Sequence, residues 1–363
     1  MTSNCAVKAA LVALNEGLPP HAEALDCEDL RGPRSLFGES APTPRPIGDW
    51  AGRPGLAREY DHCLVLWEQA ENASCLSSAA RIAATPAESV RRGGNGAALR
   101  CRLDVPAPVY IGGACTSTFS VAWKLCDDGL LPEWGAVICT RQTEGRGQMR
   151  RPWHSPRGNL YVTFRLPDDP LLKGDSASLL AGWLLVSAFK ALGFPLSLKW
   201  PNDLLLDEHV KVGGILLEER NGVLMAGLGV NLAEAPGAAQ MREQHSLPAA
   251  VLLPHHSVAV AEEARCARDD DAEEPLAPFP LWRRLVSEII LAYSHSAAGS
   301  DLTHMLCLVD ASLAWKGRSV VVRDGNDCTA RGRFMGLGPC GGLVLWSGAG
   351  ERRELFSGSL FLQ

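Results

Sequence analysis

The amino-acid sequence lacks the marks of a membrane protein or a nucleic-acid-binding protein. Its 41 acidic residues outnumber its 35 basic residues, which leaves a net charge of −6 at pH 7. A chain of this charge has no overall positive field to attract nucleic acid or anionic lipid, so we do not expect DNA as a partner. The longest nearly apolar segment, Ser176 to Phe189, contains serines and is followed by Lys190. It is too short and too polar to cross a bilayer, so we expect no membrane association.

Cysteine motifs are also missing, although cysteine itself is not. The 12 cysteines are scattered from Cys5 to Cys340 without a CxxC pair or a histidine at zinc-type spacing. We therefore predict free thiols and no metal site built from protein ligands. The start of the chain lacks the basic segment and apolar core of a secretion signal, so we expect the protein to be cytoplasmic.

The pattern of residues changes along the chain and divides its 363 residues into three parts. Residues 1–104 form an N-terminal region of open role, in which Gly32 to Gly55 resembles a linker because it is dense in proline and glycine. Short helices are predicted at Ala6 to Leu14 and at Glu59 to Ala70.

Residues 105–300 alternate between short β-rich runs and helices, which predicts an α+β domain. One strand with a single buried face is predicted at Asn159 to Leu166. Three consecutive strands are predicted further along the chain, at Leu196 to Trp200, Val210 to Leu217 and Val223 to Leu232. A buried helix is predicted from Asp175 or Ser176 to Leu192, and a second helix at Leu281 to Tyr293. An acidic insertion at about 261–275 is predicted to be an exposed loop.

Residues 311–363 contain short strands separated by glycine-rich turns. The strands are predicted at Ser319 to Val322, Arg331 to Met335, Leu343 to Trp346 and Phe356 to Phe361, as in a small β-barrel.

A loop rich in glycine and arginine carries the densest group of candidate functional residues. Gly145 and Gly147 allow backbone N–H groups to approach an anion, and Arg146, Arg150 and Arg151 carry planar charged groups that match phosphate oxygens. Trp153 offers a face for stacking on a fused ring. The alternative interpretation is an ordinary solvated loop.

A second candidate group lies at the end of a predicted strand, in the segment from Lys199 to Asp203. An ammonium at a strand end can reach a dry crevice, where it interacts more strongly with a carboxylate or phosphate than in water. Lys199 is therefore the best catalytic candidate, and the alternative is a surface lysine lying over Trp200. For Asn202, Asp203 and Asn231 a turn-forming role is an equal alternative.

These segments together resemble biotin protein ligases. The resemblance rests on six segments in order: Ser117-Thr118, Gly145-Arg-Gly with Arg151 and Trp153, Ser155-Pro156 with Gly158-Asn-Leu, Lys199-Trp-Pro-Asn-Asp, Lys211-Val-Gly-Gly-Ile-Leu and Gly229-Val-Asn. It covers about residues 105–363 and implies a class II synthetase-like catalytic domain, with a central mixed or antiparallel sheet and flanking helices, followed by an SH3-like β-barrel.

The resemblance implies an enzyme that activates biotin with MgATP as biotinyl-5′-AMP and transfers it to a lysine of the biotin carrier domain of a carboxylase. Lys199, Arg146 and Arg151 would be catalytic. The residues implied to bind biotin are Ser117, Thr118, Phe119, Gln142, Gly145, Arg146, Gly147, Gln148, Lys199, Gly213 and Gly214. Those implied to bind the nucleotide are Arg146, Arg150, Arg151, Trp153, Asn202, Lys211 and Asn231. Mg²⁺ would arrive with the ATP phosphates and need few protein ligands.

Two departures from the family pattern bear on specificity. Phe119 stands where the family often has asparagine, and Gln148 and Arg150 alter the charge of the loop. A lipoate or octanoyl ligase is an alternative on a related fold, and a biotin sensor without ligase activity is another. A bifunctional ligase and repressor would need a DNA-binding unit, for which two short helices within residues 77–92 are a weak candidate. Whether the protein is a monomer or a homodimer, and which carboxylase it modifies, stay open.

Overall fold

The computed structural model describes residues 45–46, 64–66, 109–237, 247–253, 276–297, 300–324, 327–348 and 350–363. The predicted helix at Ala6 to Leu14, the candidate helices within residues 77–92 and the acidic insertion at 261–275 lie outside these residues. No helix among the described residues is long and apolar enough to cross a membrane.

The described residues form two sheets and four α-helices. The strands of the larger sheet are β1 (Arg45–Pro46), β2 (Leu64–Leu66), β3 (Val109–Cys115), β4 (Ala136–Gln142), β5 (Leu160–Arg165), β6 (Leu196–Lys199), β7 (Asp203–Leu206), β8 (Val210–Arg220) and β9 (Val223–Val230). The helices are α1 (Thr118–Asp127), α2 (Ala177–Ala191), α3 (Pro278–Ala297) and α4 (Leu302–Asp310). The smaller sheet contains β10 (Ser319–Asp324), β11 (Asp327–Leu337), β12 (Leu343–Trp346), β13 (Arg352–Leu355) and β14 (Ser359–Leu362).

The larger sheet is mixed, as predicted. Its strand order is β1-β2-β3-β4-β5-β9-β8-β7-β6. Strands β3 and β4 run parallel, because α1 returns the chain between them, and the other neighbouring strands are antiparallel. The order brings the ends of β4, β8 and β9 close to the loop that follows β4.

The predicted helix at Glu59 to Ala70 is wrong over its centre, because Leu64–Leu66 forms strand β2. This strand pairs with β3, Leu64 opposite Ile111 and Leu66 opposite Val109, and its other edge pairs with β1. Pairing at a sheet edge decides the conformation of a three-residue apolar run that has little preference of its own. The N-terminal region thus contributes two short strands to the larger sheet.

Both faces of the larger sheet are covered. Helix α1 packs on one face in a cluster with Tyr110, Val137 and Met225, and α2 and α3 pack on the other face. The prediction that only one face of β5 is buried is therefore wrong: Tyr161 and Thr163 are as buried as Leu160 and Val162. Helix α2 is buried on nearly all sides, as its sequence predicted, although no side chain bonds to its first turn at Ser176.

The sequence missed one strand beside the candidate lysine. Between β6 and β8 the chain forms the short strand β7, so the predicted three consecutive strands are four. Asp203 begins β7 and pairs with Lys199 on one side and Gly214 on the other. The short elements α1, α4 and β13 were missed as well.

The smaller sheet has the order β13-β12-β11-β10-β14, which places β13 and β14 at opposite edges. No pairing joins these edge strands among the described residues, so the sheet is open and its closure into an SH3-like barrel stays a prediction. Its apolar side, which includes Val320, Phe334, Leu343 and Leu360, belongs to the same core cluster as α2 and α3.

The two sheets also meet through backbone hydrogen bonds next to Lys199. The N–H of Leu198 donates to Ser312 O over 2.9 Å, and the N–H of Ala314 donates to Leu198 O over 2.9 Å. The chain entering the smaller sheet therefore extends the edge of β6 as a short parallel bridge.

Candidate active site

Three charged side chains meet where β6, β7 and β8 lie side by side. Lys199 Nζ lies 2.7 Å from Asp203 Oδ2, and Lys211 Nζ lies 2.5 Å from Asp203 Oδ1. The side chain of Lys199 is only 8% exposed and that of Asp203 13%, whereas Lys211 is 28% exposed. Two ammonium groups share one carboxylate, so this cluster has a net charge of +1 in a poorly hydrated place. It can bind one anionic group.

Asp203 is held as a carboxylate by its neighbours. Burial alone would raise the pKa of this carboxyl, but the charges of Lys199 and Lys211 and their hydrogen bonds outweigh burial and hold the pKa well below its ordinary value. The carboxylate is therefore charged at neutral pH, where it holds both lysines. Sequence reasoning noted Asp203 only as a turn residue of the motif and did not identify it as the common partner.

The glycine–arginine loop folds back on itself as a small hairpin. The N–H of Trp153 donates to Gly145 O over 2.8 Å, and the N–H of Gly147 donates to Arg151 O over 2.7 Å. Between them, residues 148–150 form one 3₁₀ turn in which Met149 and Arg150 have left-handed backbone conformations. This hairpin places Trp153 over the sheet.

The ring of Trp153 rests on glycines of β8 and β9. A Cβ atom at Gly214 would lie 3.2 Å from the ring, and one at Gly229 would lie 2.8 Å from it. Lys211 Nζ lies 5.2 Å from the ring centroid, which joins the tryptophan to the lysine cluster by a cation–π contact. The structure thus brings Trp153, Gly214, Lys211 and Lys199 close together.

Only one glycine of the loop is required by packing. A Cβ atom at Gly145 would lie 2.6 Å from Ser155 Oγ and 2.8 Å from Trp153 O, so a side chain there would break the hairpin. At Gly147 the nearest atom would lie 3.7 Å away, which is an ordinary contact. In β8, Gly213 is also required, because its Cβ would lie 2.6 Å from Gly229 O.

A network of polar side chains lies next to this hairpin, at the start of α1. Gln142 Oε1 accepts hydrogen bonds from Thr118 N at 2.9 Å and Thr118 Oγ1 at 3.2 Å, and its Nε2 donates to Ser155 Oγ. The fully buried Thr163 donates to Thr118 Oγ1 over 2.7 Å. Ser117 caps α1 by accepting from Phe119 N. Sequence analysis missed Thr163, since alternation alone assigned it to an exposed face.

Phe119 is part of the core rather than of the polar network. Its ring fills the space above Gly227 in β9, where a Cβ atom would lie 2.4 Å from the ring. Its side chain is buried in the cluster that covers this face of the sheet. The phenylalanine and the glycine opposite it therefore fit together as a pair.

The remaining predicted residues are exposed on the hairpin or bonded to the backbone. Arg146, Arg150 and Arg151 are exposed, and the guanidinium of Arg146 lies 3.4 Å from Glu144. Gln148 lies half-buried in the 3₁₀ turn. Asn202 donates to Ile215 O over 2.6 Å and Asn231 to Ala250 O over 3.2 Å, so both amides hold the backbone in this structure.

Asn159 is a further residue that sequence analysis left without a role. Its Oδ1 accepts from three consecutive backbone N–H groups, those of Leu232, Ala233 and Glu234, and its Nδ2 donates to Glu234 O. His154, next to Trp153, contacts Glu234 at 3.1 Å. These contacts tie the end of the hairpin to the segment that follows β9.

A protein-family model matches the part of the chain that contains this site. Residues 113–232, which contain Gln142, Trp153, Lys199 and Lys211, match the model of the biotin/lipoate A/B protein ligase family. The match covers about a third of the chain.

Curated relatives match this ligase domain and, in one case, more of the chain. The bifunctional ligase/repressor BirA of Bacillus subtilis is 36% identical over 129 residues, 33% of this chain and 39% of the relative. The biotin–acetyl-CoA-carboxylase ligase of Paracoccus denitrificans is 29% identical over 246 residues, 65% of this chain and 93% of the relative. The chain thus spans about two fifths of the length of the Bacillus relative. A biotin protein ligase from Aquifex aeolicus, solved with biotin and ATP, matches 69% of this chain and 96% of its own with a TM-score of 0.48 and 21% identity.

Proposed function

We propose that this protein is an ATP-dependent ligase that activates biotin and transfers it to a lysine of a biotin carrier domain. In the first step a carboxylate oxygen of biotin attacks the α-phosphorus of ATP, the bond to the β-phosphate breaks, and pyrophosphate leaves. In the second step the amine of the carrier lysine attacks the acyl carbon, AMP leaves, and the amine loses a proton. The acceptor is a biotin-dependent carboxylase.

The buried cluster of Lys199, Asp203 and Lys211 is the observation that carries this proposal. Its single excess positive charge suits the carboxylate of biotin and the charge that develops at the α-phosphate. An ammonium with little contact with water stabilises such charge more strongly than an exposed one. Because Asp203 fixes both lysines before substrate arrives, little reorganisation is needed during the reaction.

The hairpin of residues 145–153 supplies the other half of the proposed site. Trp153 lies over β8 and β9 beside Lys211, where its ring can form a wall against biotin or adenine. The exposed Arg146, Arg150 and Arg151 are available for the phosphates, and closure of the hairpin over the adenylate would exclude water from the mixed anhydride.

Biotin specificity is assigned to the polar network beside the hairpin. Ser117, Thr118 and Gln142 offer the hydroxyl and amide groups that can satisfy the ureido ring. Gly145, Gly147, Gln148, Gly213 and Gly214 would shape the pocket, and Phe119 would support it from the core. Gln142 already holds Thr118 and Ser155, so binding would exchange existing hydrogen bonds for new ones.

Magnesium fits this site as a partner of the nucleotide. No group of three histidine, cysteine, aspartate or glutamate side chains is arranged for a metal in the part of the chain that the structure describes. Mg²⁺ keeps several waters and binds mainly through ATP phosphates, so it would need few ligands from this chain. When bound, the ion neutralises phosphate charge. Asn202 and Asn231 would contact the nucleotide only after giving up their backbone partners.

Three further points belong to the proposal. The smaller sheet would form the SH3-like barrel of the family, and the larger sheet would belong to its class II synthetase-like domain. The protein would act in the cytoplasm. Residues 1–104, 105–300 and 311–363 would be the three parts of the chain.

Pyrophosphate release with MgATP tests the proposal directly. We expect release that depends on biotin and not on lipoate or octanoate, followed by a carrier domain heavier by one biotinyl group in mass analysis. Lys199→Ala should lower the rate of pyrophosphate release by about a thousandfold. This variant should stay folded, because Asp203 keeps Lys211 as a partner. The control is Lys190→Ala, because Lys190 is exposed on α2. Turnover with lipoate instead of biotin would refute the assignment, as would a Lys199→Ala variant as fast as the control.

A further inference from the structure

The ammonium of Lys199 is enclosed by more than Asp203. It lies 5.6 Å from the ring centroid of Trp315 and 5.6 Å from that of Phe361. Both distances are within the range of a cation–π contact. Neither ring belongs to the larger sheet: Trp315 lies just before β10, and Phe361 lies on β14, the last strand of the chain.

Trp315 is fixed in this position by its surroundings. It is 2% exposed, and its Nε1–H donates to Glu208 O, in the turn after β7, over 2.8 Å. Its backbone has φ of 66°, a left-handed conformation that is unfavourable for a bulky residue. The preceding residues, Ser312 to Ala314, are bonded to Leu198 beside Lys199. Contacts with β6 and β7 on both sides therefore hold the indole against the lysine.

Phe361 reaches the lysine through the register of the smaller sheet. It pairs with Val321, and its neighbours Leu360 and Leu362 pair with Val322 and Val320. A slip of one residue would turn its ring to the other face of the sheet. The position of the ring is therefore fixed by three buried valines of β10.

Aromatic rings hold a cation in a way that a second carboxylate would not. Their faces attract the ammonium without carrying a formal charge, so the cluster of Lys199, Asp203 and Lys211 keeps its excess positive charge for an anionic substrate. They also exclude water from the side of Lys199 that faces the smaller sheet.

We propose that Trp315 and Phe361 are positioning residues, which cage the Lys199 ammonium and make the smaller sheet a part of the active site. This inference rests on the proposed function, in which Lys199 acts on biotin and the α-phosphate. The rings touch no substrate and act through the lysine.

Ring fluorination at residue 361 separates cation–π attraction from packing. Phenylalanine with one, two or three ring fluorines, introduced by amber suppression, keeps the shape of the ring while it weakens the negative face. We expect biotin-dependent pyrophosphate release to fall in steps to about one tenth of the wild-type rate, with unchanged thermal stability. The same series at Phe356, which is 56% exposed in the turn between β13 and β14, should have no effect. A flat series at residue 361 in an active enzyme would overturn the inference.

Substitution at Trp315 gives a second measurement. Trp315→Phe should retain most of the activity and Trp315→Leu little of it, both compared at equal folded fraction. Equal loss in the two variants would indicate a purely structural role.

A readout without turnover distinguishes failure of this inference from failure of the proposed function. The chain has seven lysines, so the Hε protons of Lys199 can be assigned by NMR with ¹³C-labelled lysine and Lys199→Arg. We expect them to be shifted by the two rings, and expect Phe361→Leu to move them toward the position of exposed lysines while Phe356→Leu does not. An unshifted signal in the wild type would refute the cage, even if the protein ligates no biotin. A shifted signal in a protein inactive with biotin would refute only the function.

Discussion

The variant Gly229→Ala tests whether the ring of Trp153 packs directly on the backbone of Gly229. The added Cβ would lie 2.8 Å from Cε2 and Nε1 of Trp153 and 2.9 Å from Cζ2. These atoms lie about 0.6 Å inside the lower limit of ordinary contact. The neighbouring backbone of β9 is bonded on both sides, to β5 and β8, so the ring must move rather than the strand. Overpacking of this kind costs about 2 kcal/mol.

Guanidinium chloride unfolding of four proteins measures this clash without reference to activity. The wild type, Gly229→Ala, Trp153→Leu and the double variant form a double-mutant cycle. If the clash is with the indole, Gly229→Ala should cost about 2 kcal/mol in the wild type and less than about 0.5 kcal/mol once Trp153 is leucine. Gly348→Ala serves as the control, since a Cβ atom there meets nothing within 4 Å. Additive costs would refute the reasoning.

Two further variants test the surroundings of the site. Asp203→Asn should destabilise the protein by about 3 kcal/mol at pH 7, because it leaves two close ammonium groups without a carboxylate. The lowered pKa of Asp203 stabilises the wild type above about pH 4, and this stabilisation is lost as the pH falls toward the folded-state pKa. The difference in unfolding free energy between the two proteins should therefore become smaller in acid. A difference that stays constant with pH would contradict this. Phe119→Ala should cost about 3 kcal/mol, since its ring fills the space above Gly227; a loss under about 1 kcal/mol in urea unfolding would show that the space collapses.

Part of the larger sheet could be predicted from the sequence, because several of its strands carry a clear apolar pattern, although no strand was predicted at β3 or β4. Strands β5, β8 and β9 and helix α2 were found near their observed positions. Strands β2 and β7 were not found. Strands of three or four residues show too little periodicity, and their conformation depends on pairing with neighbouring strands. Burial of both faces of β5 escaped prediction, since Thr163 and Tyr161 are compatible with an exposed face.

Individual residues of the candidate site could be predicted from the sequence, but the contacts between them could not. Lys199 and Trp153 were singled out by residue type and position, and Gln142 by the resemblance. The structure places Trp153 on glycines of β8 and β9, Gln142 at the start of α1 and Lys199 against Asp203. The pairing of Asp203 with two lysines, the bond from Thr163 and the rings around Lys199 depend on contacts between distant segments. Phe361 lies 162 positions after Lys199 in the chain, and no local pattern connects them.

The bridge between Leu198 and Ser312 to Ala314 limits how this protein can evolve. A C-terminal sheet acquired from another chain would have to supply the same two backbone hydrogen bonds and pack into the same apolar core. The two sheets are therefore not interchangeable modules, even though their sequences are separated by a clear change of pattern. Substitutions on one side of the bridge are expected to be inherited together with compensating substitutions on the other.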